Sequence, residues 1–343
     1  MRASRLAALA LALLLAWIIG WPLLVTFGEA LGLPGPPTLA HLAAFAERPD
    51  EWVALWRSLW ISLASTALAG AVGVPLGFLF AWAEFPGRRA LGTLIILPVA
   101  LPPLVGVIAF LFLYGESGLA TRAVGAALGL ARAPWRLQGP LAILLVHAYS
   151  MYVYFYLFTR AALARFDGSL LEAAAALGAG RARTLWAVIL PVLRPALLGA
   201  ALLTFMTALG SFSAPYLFGG DFRVLPTQIV ASKLNGELAA AQVETVALAG
   251  LAITGLFLLR RFDPRRPAVG GVRGVAPARR RLGRPAARLA AAAAGWLLGG
   301  ILLLPHLTLL LISFVPPGTW RTEALPPVLS LANWTALGEG AER

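Results

Sequence analysis

Side chains able to do chemistry are few in this chain and far apart. His41, His147 and His306 lie 106 and 159 residues from one another and share no ligand spacing, so the sequence predicts no zinc site. There is no cysteine, which removes disulfides and thiolate metal sites. The one lysine, Lys233, follows Ser232 and belongs to no Gly-x-x-x-x-Gly-Lys loop, so the chain cannot cradle nucleotide phosphates by that route. Acid and base residues are too scarce in the apolar stretches to assemble a membrane-embedded enzyme. The sequence therefore predicts no catalytic residue, no metal and no cofactor. Its informative polar residues belong to a loop around Glu172 and to breaks inside apolar segments.

Those residues are positioned by helices that belong in a membrane. The chain is 59% hydrophobic and 13% charged over 343 residues, too apolar for a soluble protein. A bilayer requires about 20 apolar residues per helix. Runs of that kind extend over Leu6–Phe27, Leu59–Ala83, Ala90–Tyr114, Gly139–Thr159, Pro195–Phe218 and Leu289–Val315, with a shorter one over Val246–Leu259. The expected fold is all-α, a polytopic transmembrane bundle of about seven spans.

Charge orients it. The net charge is +13, and ten arginines fall between Arg260 and Arg288 in one inter-span loop. Basic residues concentrate in cytoplasmic loops, so membrane topology explains this charge better than nucleic acid. A nucleic-acid surface would interleave aromatic residues, and only Phe262 is there. Arg2 and Arg5 favour a cytoplasmic N-terminus, and alternation then places 160–194 inside. Residues 115–138 fit least well, because Arg122, Arg132 and Arg136 fall outside; an interfacial or re-entrant helix near Ala123–Leu130 would accommodate them.

The loop at 165–191 carries the sharpest pattern. Glu172, Ala173 and Ala174 are followed after three residues by Gly178, then after nine by Val188, any residue, and Leu190-Pro191. Alanine favours helix and Gly178 can take the left-handed conformation that ends one, so the spacing predicts helix, turn, helix. An acidic residue in a first helical turn is favoured by the helix dipole and can pair with an arginine of a partner. The pattern resembles the EAA loop of permease subunits of binding-protein-dependent ATP-binding-cassette importers, with Val188 where the family carries Ile. The resemblance implies that Glu172, Ala173 and Ala174 form a docking face for cytoplasmic ATPase subunits, that Gly178 allows the turn, and that Leu190-Pro191 begins the next span. It implies further partners: an external solute-binding protein and a second permease half or subunit, all in a bacterial inner membrane. Within the family, LPVALPPLVG and SFSAPYLFGG look like permeases of ferric-iron importers; thiamine, phosphonate, sulfate and polyamine permeases share much of the pattern.

Breaks in the spans suggest where a solute passes. Pro98, Pro102 and Pro103 interrupt the third apolar run, and broken helices in membranes tend to line cavities. His147 lies inside the fourth run, and Ser211 and Ser213 near the outer end of the fifth; intramembrane polar groups usually face a bundle interior. A proton- or sodium-driven transporter would keep an ionisable residue at mid-membrane, and only His147 qualifies. Finally, Trp21-Pro22 followed by LVTF is echoed by Pro305 followed by LISF. The expected organisation is a first six-span half over 1–260, an arginine-rich linker over 261–288, and the start of a second, truncated half over 289–343.

Overall fold

In a computed structural model, which describes residues 2–130, 132–261, 285–320, 323 and 325–338, the chain is a helical bundle with no strand among those residues. Most of the arginine-rich linker, 262–284, lies outside them. Among the described residues, seven helical stretches are long and apolar enough to cross a membrane: Ala8–Ala30, Pro49–Trp82, Pro103–Ala127, Gly139–Ala164, Arg181–Leu209, Leu238–Arg261 and Arg288–Ser313. They are numbered here as spans one to seven.

Spans two and four form the centre. Their backbones touch because span two turns glycines toward span four. A Cβ on Gly73 would strike the Tyr152 carbonyl, and one on Gly77 would lie 2.6 Å from Thr159 Cβ. Small residues at helix crossings let membrane helices approach closely, and Tyr152, Val153 and Tyr156 fill the space around them completely.

Several boundaries differ from those read from hydropathy. Span two starts at Pro49 rather than Leu59, because Pro49 suits a first helical turn and Asp50 and Glu51 are acidic residues at a helix N-terminus. Span six runs from Leu238, absorbing Gln242 and Glu244. The third apolar run is divided: a helix at Arg88–Leu94, a single 3₁₀ turn at Leu97–Val99, and a second helix from Pro103 to Tyr114. Tyr152 Oη donates to the Ile95 carbonyl at 2.5 Å and Tyr156 Oη to that of Gly92 at 3.1 Å, so the broken backbone is held from span four. Beyond Tyr114 span three breaks at Gly115 and continues as a further helix over Leu119–Ala127, which overlaps the segment Ala123–Leu130 where a helix was expected.

Span one packs mainly on span six and is otherwise exposed. Span seven, expected to open a second half, shares a core with the first. Ala292 is buried with Phe85 and Leu91, Trp296 Nε1 donates to the Pro86 carbonyl at 3.1 Å, and Tyr149 Oη lies 2.9 Å from His306 Nδ1.

Candidate functional site

The loop after span four folds as its residues predict. Asp167 Oδ1 accepts the Ser169 amide at 2.9 Å, and a helix runs from Ser169 to Ala176. Gly178 follows at φ +72°, and the Ala179 amide closes the turn on the Ala174 carbonyl at 2.9 Å. Nothing lies within 4 Å of a Cβ built on Gly178, so glycine is required there by backbone conformation alone.

This short helix has two faces. Glu172 and Ala173 are exposed, together with Leu177, which is 87% exposed. Ala174 is 7% exposed, so it belongs to the inward face and not to the outward face expected of it. Inward, Leu171 packs against a buried cluster of Leu163, Phe166, Ile189 and Leu193, which joins the ends of spans four and five to Phe78 and Trp82 of span two. The helix therefore lies across the ends of three spans on an apolar seat.

Leu190-Pro191 does not start span five. The helix begins at Arg181, widens to a π turn over Leu185–Ile189, and continues as α-helix from Leu190. Proline lacks the N–H that the carbonyl four residues earlier would accept, and its ring crowds that carbonyl. A wider turn ahead of it relieves both. Span one repeats the device, with a π turn at Ala16–Gly20 ahead of Pro22. Trp186, inside the second π turn, is 71% exposed.

Of the residues singled out as path candidates, the structure brings His147 and Ser211 into contact. Pro98 is buried in its 3₁₀ turn, whereas Pro102 and Pro103 are exposed. His147 is 1% exposed with both ring nitrogens engaged: Nδ1 lies 2.8 Å from Ser65 Oγ and Nε2 2.9 Å from Ser211 Oγ. In this conformation it is buried and ties spans two and four to the link beyond span five. Ser211 falls between the end of span five at Leu209 and a short helix at Ser213–Phe218, and both serines are half-buried. Ser65 went unnoticed in the sequence reading. Its signal is a hydroxyl stripe on one face of span two, where Ser58, Ser62 and Ser65 are each buried.

Comparison with known proteins matches residues 73–266 to the family described as binding-protein-dependent transport system inner membrane component. The chain is 33% identical over 294 residues to the probable ABC transporter permease protein y4fN of Sinorhizobium fredii, an alignment covering 84% of this chain and 51% of that protein. It thus spans about half the length of this relative. It is 33% identical over 220 residues to the molybdenum transport system permease protein ModB of Mycobacterium tuberculosis, covering 62% of this chain and 81% of that one. In fold it is similar to a chain in the crystal structure of a bacterial alginate ABC transporter in complex with an alginate pentasaccharide-bound periplasmic protein. That match has a TM-score of 0.61 at 17% identity, covering 77% of this chain and 95% of the other. The chain is a member of the family of inner membrane components of binding-protein-dependent transport systems.

Proposed function

We propose that this chain is the membrane-spanning permease of an ATP-driven solute importer, and that the loop at 165–191 couples it to ATPase subunits. The observation that carries this reading is the seated helix Ser169–Ala176. It offers Glu172, Ala173 and Leu177 to a partner while Leu171 and Ala174 hold it against the ends of spans two, four and five. A helix fixed in that way moves as a rigid lever. When ATP draws the partner ATPases together, the displacement passes through Phe166 and Ile189 into spans four and five, and the bundle rocks between inward- and outward-facing states. An external binding protein delivers the solute. This chain makes and breaks no covalent bond; hydrolysis belongs to the ATPase.

In this reading the N-terminus and the coupling loop face the cytoplasm, and residues 289–343 begin a second permease half. Ferric iron is the solute implied by the resemblance of the proline-rich segments, and molybdate is the alternative suggested by the relative from Mycobacterium.

Co-purification in detergent with the ATPase encoded beside this chain tests the coupling role. Wild type should retain the ATPase, and Glu172→Arg and Gly178→Trp should lose most of it while remaining folded. Retention by both variants at wild-type level would refute it. Binding of radiolabelled iron and molybdate to the cognate external binding protein then decides the solute.

A further inference from the structure

At the end of the bundle opposite the coupling loop, two carboxyl side chains are buried against each other. Glu51, in the first turn of span two, is 2% exposed, and Glu244, in span six, is fully buried. Ser232 Oγ donates to Glu244 Oε1 at 2.7 Å. Oε2 of Glu51 and Oε2 of Glu244 are each buried without a hydrogen-bond partner, and the two carboxyl groups are close enough to interact. A buried polar atom left unpaired costs about 1–3 kcal/mol, and two such atoms on neighbouring carboxyl groups point to a single remedy. Two carboxylates sharing a buried site do not both ionise.

We propose that Glu51 and Glu244 share one proton, forming a clasp between spans two and six that the solution at that end of the bundle loads and unloads. Access is provided by a cavity of about 540 Å³, lined by His41, Phe45, Arg48, Glu51, Glu237 and Leu238. Arg48 places positive charge beside Glu51 and shares it with Glu237, which it meets at 3.5 Å, both partly exposed. Asp50 adds negative charge beside Glu51, Gln228 reaches it from the helix Leu225–Leu234, and Lys233 of that helix is exposed. Glu29 of span one is paired with Gln242 instead. With the proton in place, Glu244 donates to Glu51 and accepts from Ser232. Without it, two anions face each other in the same space and the spans are pushed apart.

The clasp rests on the fold and not on the transport reading, so it is tested on the purified full chain without partners. Thermal unfolding in detergent is followed from pH 5.5 to 8.5 for wild type, Glu244→Gln, Glu51→Gln and Ser232→Ala. Glutamine at 244 can donate to Glu51 and accept from Ser232 with no proton to lose. Wild type and Ser232→Ala should lose about 3 °C more across this range than either glutamine variant. The proposal is overturned if Glu244→Gln keeps the wild-type slope. It is equally overturned if millimolar calcium or sodium restores the wild-type melting temperature at pH 8.5 and leaves Glu244→Gln unmoved, because the pair would then hold a cation.

Discussion

His147 Nε2 lies 2.9 Å from Ser211 Oγ, and this contact ties the middle of span four to the non-helical link beyond span five. Ser65 Oγ donates its one hydrogen to the Ile61 carbonyl at 2.6 Å, so it accepts from His147 Nδ1–H. With a single ring proton on Nδ1, Nε2 accepts from the Ser211 hydroxyl. In this scheme both ring nitrogens of His147 and both serine hydroxyls have a partner.

Removing Ser211 and His147 together should therefore cost less than the sum of removing each. Ser211→Ala leaves Nε2 buried and unpaired, for a loss of about 1–3 kcal/mol. Adding His147→Phe removes the orphan, and the double variant should be less destabilised than the sum of the singles by about 1 kcal/mol. Chemical or thermal unfolding in detergent gives the cycle; strict additivity would contradict the bonding scheme.

The crossing of spans two and four makes a second expectation. Gly73→Ala places a methyl against the Tyr152 carbonyl and Phe155 Cβ, both buried, and should lower stability by about 2–3 kcal/mol through overpacking. Gly106→Ala in span three meets nothing within 4 Å and should be neutral or stabilising by about 0.5–1 kcal/mol. The comparison of melting temperatures separates contact from helix propensity.

Tyr152→Phe addresses the broken third run. It deletes the bond to the Ile95 carbonyl, which sits where the helix has stopped and has few other donors. A loss of about 1–3 kcal/mol is expected, with faster hydrogen exchange over 92–99. Tyr149→Phe, whose hydroxyl meets His306 and not this backbone, should leave exchange in that segment unchanged.

Leu177→Asp tests the outward face of the coupling helix. The side chain is 87% exposed, so the fold should tolerate the change within about 0.5 kcal/mol. Capture of the ATPase should fall at least tenfold. Unchanged capture would restrict the docking face to Glu172 and Ala173.

Much of this architecture was legible because a membrane writes its demands in long apolar runs. The number of spans, the helix and turn around Glu172 and Gly178, and the interruption at Pro98–Pro103 all followed from propensity and length. The span ends did not. Asp50 and Glu51 look like loop residues to a hydropathy window, yet they suit the first turn of a helix, and Glu244 is absorbed because Ser232 and Glu51 meet it in three dimensions. The inward turn of Ala174 was equally hidden, since a run of alanines has no amphipathic signature. The partners of His147 are 82 and 64 residues away, a separation that no local pattern encodes.

The π turn ahead of Pro191 has a geometric consequence. One extra residue in a helix displaces the register by about 100° about its axis. The azimuth of Arg181–Thr184 relative to the rest of span five is therefore set by the five residues Leu185–Ile189. Deleting one residue between Leu185 and Ile189 would restore a regular helix and turn Arg181 and Arg183 by about 100° against a coupling helix that Leu171 and Ala174 keep seated, so the loop between Gly178 and Gly180 would have to absorb the twist.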